Sequence, residues 1–245
     1  MKFTVIGYWG AYPEKESATS CYVLETEEKN VVIDLGSGAL SRLFRHYELE
    51  DLDAVVLSHF HHDHIADLGS LQYALLVQQH LNDSKTKIPI YAAKDNKKDF
   101  ERLTHNGTIG KAYQEGRELH IGEVMFSFLR TKHPKPCYAM RMTDGERTIV
   151  YTADTSYFSG LVDFARDADL LVAETSFYQG MDGKQAGHLT SEEVGKLASK
   201  ANVGELWLTH LPHFGDHQDL VKEAQAQYNG NIQLASEGLS FGKVE

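Results

Sequence analysis

The chain is poor in cysteine and in long apolar segments, and each shortage excludes a class of protein. Its 245 residues include only two cysteines, Cys21 and Cys137, which lie far apart and outside any Cys-x-x-Cys spacing. A disulfide-stabilised fold is therefore not expected, and a reducing compartment fits. No apolar run approaches the length of a membrane span, and the N-terminal residues reach Gly7 before they build the apolar region of a signal peptide. We expect a cytoplasmic protein with no membrane segment.

Basic residues are also scarce: 24 Lys and Arg stand against 35 Asp and Glu, for a formal net charge of −11. Nucleic acids are bound mainly through Lys and Arg, so this balance disfavours a long nucleic-acid partner unless a local basic patch exists. Two small basic groups occur, at 94–98 and at 130–135. A solvated helix face explains the first group, whereas the second adjoins His133 and could contact an anionic substrate.

Histidine, in contrast, is plentiful, with 13 residues, and several are clustered. The segment Ser-His-Phe-His-His-Asp-His at 58–64 follows an apolar, β-branched stretch typical of a buried strand and precedes the apolar spacing of a helix. In extended backbone alternate side chains point the same way, so His59 and His61 can face one ion, while Asp63 and His64 can face a second. A lone histidine is usually an ordinary surface or core residue, but so much polarity at one strand end is hard to explain without a metal.

The pattern His-x-His-x-Asp-His at 59–64 resembles the signature of the metallo-β-lactamase superfamily, whose complete site adds a distant His, a bridging Asp and a last His. Three further residues of these types stand just beyond predicted strands, where ligands gather in layered α/β folds: His133, Asp154 and His210. Each alone could be an ordinary loop, turn or strand-end residue. By the resemblance, His59, His61 and His133 would hold the first metal, Asp63, His64 and His210 the second, and Asp154 would bridge both.

The resemblance also implies the fold class: α/β, a four-layer αββα sandwich of two mixed β-sheets flanked by helices. A weak internal echo agrees with two related halves, because the strand segments 31–34 and 54–59 end in an acid and a histidine, as do 149–154 and 205–210. No linker or low-complexity segment interrupts the chain, which predicts a single metallo-β-lactamase-like domain over 1–245. Helices are predicted at 38–48, 64–82, 95–105, 190–201 and 216–228.

The ligand types narrow the chemistry. Position 61 is His where the superfamily's di-iron redox branch has Glu, and neutral imidazoles with few carboxylates suit two Zn²⁺ ions, with Mn²⁺ as the alternative, better than a redox iron pair. Hydrolysis is therefore favoured. The context Lys-His-Pro at 132–134 differs from the Gly-His-Thr of glyoxalase-like and lactamase-like members. It resembles the phosphodiesterase and tRNA 3′-processing endonuclease branch, which is called RNase Z-like.

A second motif supports this branch. Gly-His-Leu-Thr-Ser at 187–191 resembles the motif in which a histidine before a helix reaches into the cleft, and Glu174 could orient that histidine, His188. The alternative is a capping-loop histidine, because the Thr-Ser pair and the acidic residues after it signal a helix start.

The resemblance assigns roles in catalysis. Asp63 would orient a hydroxide shared by the two metals, which attacks phosphorus, and His188 would protonate the leaving oxygen. Asp34, which precedes a Gly-Ser-Gly turn, could accept a hydrogen bond from a ligand imidazole. A simple turn residue explains Asp34 equally well.

Three departures separate the chain from the tRNA endonucleases: its short length, His62 where they commonly have Gly, and the lack of a Gly/Pro-rich basic insertion that would grip tRNA. They favour a small phosphodiester or nucleotide as substrate. The aromatic loop 7–13 could stack a base or could simply pack. A thioesterase or lactamase-like hydrolase, a tRNA-processing enzyme and a non-catalytic metal-dependent module remain open, as does a homodimer.

Overall fold

The computed structural model describes residues 1–82 and 87–244, and the strands of this part form two seven-stranded sheets. The chain divides into two compact units. Unit 1 comprises Met1–Gly7, Ala11–Gln114 and Glu237–Glu245, and unit 2 comprises Tyr8–Gly10 and Glu115–Ser236. Each unit has its own sheet, helices and apolar core. The single domain over 1–245 stays a prediction.

Unit 1 is built on a mixed sheet. Its strands, numbered along the whole chain, are β1 (Lys2–Gly7), β2 (Cys21–Glu25), β3 (Asn30–Ile33), β4 (Ala54–Val56), β5 (Ile88–Ala93), β6 (Thr108–Tyr113) and β14 (Ser240–Gly242). Their order is β14-β1-β2-β3-β4-β5-β6. Neighbours are antiparallel from β14 to β3 and parallel from β3 to β6. The strand β4 is completely buried, as expected of a central parallel strand covered on both faces.

The helices of unit 1 are shorter than predicted. They are α1 (Ala39–Leu43), a 3₁₀ turn (Leu49–Asp51), α2 (His62–Ile65), α3 (Leu68–Asn82) and α4 (Lys97–Glu101). The helix predicted at 64–82 is interrupted at Asp67, because the Asp67 amide donates to the Leu35 carbonyl (3.2 Å) and its carboxylate accepts from the Leu40 amide (2.9 Å). Contacts distant in sequence therefore replace the helical hydrogen bonding at this point.

Unit 2 holds the second mixed sheet. Its strands are β7 (Leu119–Ile121), β8 (Val124–Arg130), β9 (Tyr138–Thr143), β10 (Thr148–Tyr151), β11 (Leu170–Glu174), β12 (Glu205–Thr209) and β13 (Asn231–Leu234). Their order is β13-β12-β11-β10-β9-β8-β7. Neighbours are parallel from β13 to β10 and antiparallel from β10 to β7.

The helices of unit 2 are α5 (Ser159–Phe164), α6 (Ser191–Ala201) and α7 (His217–Gln225). The predicted start of α6 is confirmed: Thr190 is the N-cap, and it forms a reciprocal capping box with Glu193. The helix α7 ends earlier than the predicted residue 228, and α5 was not predicted. None of the helices in the described part of the chain is long and apolar enough to cross a membrane.

The two sheets share one strand pattern, three antiparallel pairings followed by three parallel ones. By position in this pattern β3 corresponds to β10, β4 to β11 and β5 to β12. The expectation of two related halves agrees with this pattern. The predicted correspondence between the segment ending at His59 and the segment ending at His210 is wrong. The first segment contains β4 and the second contains β12, whereas β12 corresponds by position to β5.

Candidate metal centre

Candidate ligand side chains follow the antiparallel strand β8, as His133 does, and the carboxyl ends of the parallel strands in both units. Three of these ends carry a left-handed residue other than glycine: Asp34 after β3 (φ 54°), Ala153 after β10 (φ 47°) and His210 after β12 (φ 55°). Such a conformation costs about 1–2 kcal/mol for a residue with a Cβ. Strain of this kind concentrates at functional sites, where it aims a side chain in a direction that a relaxed strand end would not give.

In unit 1 the completely buried Asp34 holds the loop after β4. Its Oδ1 accepts the Ser58 amide (2.7 Å), and its Oδ2 accepts the Ser58 hydroxyl (2.8 Å) and His64 Nδ1 (2.7 Å). Because a carboxylate only accepts, His64 Nδ1 carries the proton and Nε2 keeps its lone pair. Asp63 Oδ2 lies 3.7 Å from that Nε2. The hydrogen bond proposed for Asp34 is therefore present, and its effect on metal binding stays a prediction.

The other two histidines of this loop converge through their ring nitrogens. His59 Nδ1 lies 3.0 Å from the Ser58 hydroxyl, and His59 Nε2 lies 3.0 Å from His61 Nδ1. Two imidazole ligands of a tetrahedral Zn²⁺ ion, each bound at about 2.1 Å, have nitrogens roughly 3.4 Å apart. The spacing of the two nitrogens is close to that of a ligand pair on one ion.

In unit 2 Asp154 lies between two histidines. Its Oδ1 is 3.5 Å from His210 Nε2, and its Oδ2 is 3.9 Å from His133 Nε2, with all three side chains at most 6% exposed. His133 Nδ1 donates to the Gly187 carbonyl (3.1 Å), which leaves Nε2 towards Asp154. Burial lowers the pKa of His133, an effect that Asp154 opposes, and a neutral imidazole is the form that binds metals. Each carboxylate oxygen faces a different histidine, an arrangement that is compatible with a carboxylate shared by two ions.

His188 is anchored beside these residues. Its Nδ1 donates to Glu174 Oε1 (2.9 Å), and its ring lies 5.3 Å from the His133 ring and 5.4 Å from the His210 ring. The donor atoms of Glu174, His188 and His210 lie close enough to hold an ion. Glu174, however, is completely buried and also accepts the amides of Thr155 and Leu189 (3.1 Å each). Glu174 is better explained as the residue that orients His188.

The donor set fits a divalent transition metal. Imidazole nitrogens and carboxylate oxygens are ligands that Zn²⁺ and Mn²⁺ bind. Anchoring of Nδ1, which leaves Nε2 for the ion, is the usual arrangement of metal-binding histidines. The described residues therefore fit the metal that the resemblance implies, and the number and identity of ions stay predictions.

The structure gathers the predicted residues into two groups: His59, His61, Asp63 and His64 in unit 1, and His133, Asp154, His188 and His210 in unit 2. Sequence reasoning gave no role to Ser58 and Ser176, whose hydroxyls contact ring nitrogens in these groups. Ser58 directly precedes the first histidine, a weak signal, whereas nothing local links Ser176 to His210.

The aromatic loop favours packing over base stacking. The Trp9 ring stacks on the His213 ring at 4.7 Å and 15°, and Tyr8 and Trp9 both pack against the apolar core of unit 2. One face of the indole is thereby covered. Tyr12 is exposed.

Gly10 offers a test of the position of His210. A Cβ on Gly10 would lie 2.7 Å from His210 Nδ1 and 2.8 Å from its Cε1. Gly10→Ala should therefore displace the ring and weaken zinc binding about 10–100-fold, as measured by competition with a chromophoric chelator. Gly69→Ala, where a Cβ would meet nothing within 4 Å, is the control and should bind zinc normally. Unchanged affinity in Gly10→Ala would count against His210 as a ligand.

Comparison with known proteins agrees with this geometry. The chain belongs to the β-lactamase superfamily: the family described as "Beta-lactamase superfamily domain" matches residues 29–211. The chain is 48% identical to the probable metallo-hydrolase YhfI of Bacillus subtilis, over 97% of this chain and 98% of YhfI. The crystal structure of YhfI, a metallo-β-lactamase fold protein, superposes with a TM-score of 0.96 at 45% identity, with 98% of each chain covered.

Two more distant relatives belong to the predicted branch. Ribonuclease Z of Haloferax volcanii is 23% identical over 97% of this chain and 93% of its own length. The crystal structure of the short form of human tRNase Z has a TM-score of 0.80 at 21% identity and covers 99% of both chains. The predicted superfamily, its RNase Z-like branch and the fold class with two mixed sheets and flanking helices are confirmed. Family membership and the donor set together define the class of a metal-dependent hydrolase.

Proposed function

We propose that the protein is a dinuclear metal-dependent phosphodiesterase that acts on a small phosphodiester or nucleotide. Its ions would be Zn²⁺, with Mn²⁺ as the alternative. By the resemblance to the family, His59, His61 and His133 would hold the first ion, Asp63, His64 and His210 would hold the second, and Asp154 would be shared by both. The observation that carries the proposal is the anchored pair of His188 and Glu174, because hydrolysis of a phosphodiester with a basic leaving group needs an acid.

The chemistry divides between the metals and the chain. When bound, two divalent ions supply a nucleophile of lowered pKa and neutralise charge on the phosphoryl oxygens. Asp63 orients the attacking group. His188 donates a proton from Nε2 to the leaving oxygen, while its Nδ1 remains bonded to Glu174. The buried carboxylate of Glu174 accepts the hydrogen bond from Nδ1 and holds the ring in place.

The size of the chain supports a small substrate. The alignment with the Haloferax ribonuclease Z runs over 304 positions, although this chain has 245 residues. That relative therefore carries insertions that this chain lacks. Lys132 and Lys135 are exposed beside His133, and they offer a modest positive charge that suits one phosphate group better than a long polyanion.

Ribonuclease activity is the second candidate, because the Haloferax relative is named a ribonuclease Z. A panel of substrates separates a phosphodiesterase from a ribonuclease, a thioesterase and a lactamase-like hydrolase. Zinc-loaded protein should hydrolyse bis(p-nitrophenyl) phosphate and a dinucleotide, and it should leave a thioester, a cephalosporin and a precursor tRNA at the background rate. His61→Ala, which removes a ligand, is the control for contaminating activity. Faster turnover of the thioester or the cephalosporin would refute the phosphodiesterase, and cleavage of the precursor tRNA alone would favour the ribonuclease.

Assembly and location are proposals of the same kind. The helix α3 has no Asp, Glu, Lys or Arg and exposes Tyr73, Val77 and Leu81 along one stripe. For a chain with a net charge of −11, a neutral apolar stripe is the surface on which two copies repel least. We propose a homodimer through α3, which sedimentation velocity would detect as a dimer that Val77→Lys dissociates. We also propose a cytoplasmic location, which the scarcity of cysteine supports.

A further inference from the structure

Ser176 connects a buried carboxylate to a proposed metal ligand. Its hydroxyl lies 2.8 Å from Glu174 Oε2 and 2.8 Å from His210 Nδ1, with longer contacts to the His210 carbonyl (3.4 Å) and to His188 Nδ1 (3.5 Å). We propose that Ser176 is a positioning residue, which transmits the charge of Glu174 to His210 and fixes the tautomer and orientation of that ring. The inference rests on the proposed function only in treating His210 as a metal ligand.

The hydrogen bonds of Ser176 determine which nitrogen of His210 binds a metal. A hydroxyl has one proton, and the negative carboxylate of Glu174 at 2.8 Å is a stronger acceptor than the carbonyl at 3.4 Å. Ser176 therefore donates to Glu174 and accepts from His210. His210 Nδ1 must then carry the ring proton, and Nε2, which lies 3.5 Å from Asp154 Oδ1, keeps its lone pair.

The same arrangement occurs independently in unit 1. There the hydroxyl of Ser58 bonds the completely buried Asp34 (2.8 Å) and contacts His59 Nδ1 (3.0 Å), while a second histidine, His64, bonds the carboxylate directly and lies 3.5 Å from the hydroxyl. In each unit one buried carboxylate thus holds one histidine directly and a second histidine through a serine.

The resemblance between the two networks does not come from the repeated strand order. In unit 1 the carboxylate follows β3 and the serine follows β4. In unit 2 the carboxylate ends β11, the serine lies two residues beyond it, and the histidine follows β12. Different positions in the two sheets therefore produce the same hydrogen-bond chain. This is expected if the function of each chain is to orient two imidazoles with one carboxylate.

Three variants of the full-length protein test the inference. Ser176→Ala removes the hydroxyl, and Ser176→Thr retains it at a half-buried position. Ser191→Ala is the matched control, because the Ser191 hydroxyl also bonds a carboxylate, that of Glu223, with no histidine involved. Zinc affinity is measured by competition with a chromophoric chelator. The His210 tautomer is measured by long-range ¹H–¹⁵N NMR on the chelator-stripped protein, whose folding is checked by circular dichroism.

We expect Ser176→Ala to bind zinc about 10–100-fold more weakly and to populate the Nε2–H tautomer of His210. Ser176→Thr and Ser191→Ala should match the wild type in both measurements. A wild-type tautomer in Ser176→Ala, or an equal loss of zinc affinity in Ser191→Ala, would overturn the inference. Failure of the proposed function is distinguishable, because a wild-type protein that hydrolyses no phosphodiester would still show the tautomer that Ser176 imposes.

Discussion

His188→Ala should lower kcat for hydrolysis of a dinucleotide by about 10²–10⁴, the usual contribution of a positioned general acid, while the protein keeps its fold and its metal content. The reason is the contact between His188 Nδ1 and the buried Glu174 (2.9 Å), which orients the ring so that Nε2 can donate to the leaving oxygen. Steady-state kinetics on zinc-loaded protein, with metal analysis of the same sample, measure both quantities.

The leaving group should decide the size of that loss. A p-nitrophenolate leaves without much protonation, so hydrolysis of bis(p-nitrophenyl) phosphate should fall much less than that of the dinucleotide, whose alkoxide is far more basic. His120→Ala removes an exposed histidine and serves as the control without effect. Equal losses on both substrates, or metal lost from His188→Ala, would assign His188 to structure or ligation.

Asp154→Ala should reduce the bound metal from about two ions per chain to one or fewer, and hydrolysis should fall to the background rate, because a bridging carboxylate serves both ions. The two oxygens of Asp154 face different histidines, at 3.5 Å and 3.9 Å, in a buried setting. Elemental analysis after gentle purification measures the metal content.

Asp163→Ala is the matched control for this variant. Asp163 lies in the same unit, and its side chain is 72% exposed in an ion pair with Arg166. Its removal should therefore leave both metal content and rate unchanged. Full metal content in Asp154→Ala would show that Asp154 does not bridge the ions, whatever the activity of the variant.

Much of the framework could be predicted because its signals are local. The strand β12 (Glu205–Thr209) lies within the predicted strand segment 205–210, and the Thr-Ser pair with the acidic residues after it located the start of α6. The side chains proposed as ligands follow apolar strand segments, and a polar residue after an apolar run is visible in the sequence alone. Hydrophobic pattern and caps act over a few residues, which is the range that a single sequence reveals.

Features that depend on distant contacts could not be predicted. The break before α3 arises because Asp67 bonds Leu35 and Leu40, and no helix-breaking residue marks it. The contact between Ser176 and His210 joins residues 34 positions apart. The left-handed backbone at His210 (φ 55°) could not be predicted either, because no sequence signal marks it. The surrounding structure imposes this conformation on the residue.

The most direct test of a dinuclear phosphodiesterase is a titration of chelator-stripped protein with zinc, in which the rate of bis(p-nitrophenyl) phosphate hydrolysis is followed against zinc added per chain. We expect negligible hydrolysis without zinc and a rate that rises to a plateau at about two equivalents, because both ions take part in the reaction. A plateau at one equivalent would contradict the dinuclear centre, and the absence of hydrolysis at any level of added zinc or manganese would contradict the phosphodiesterase.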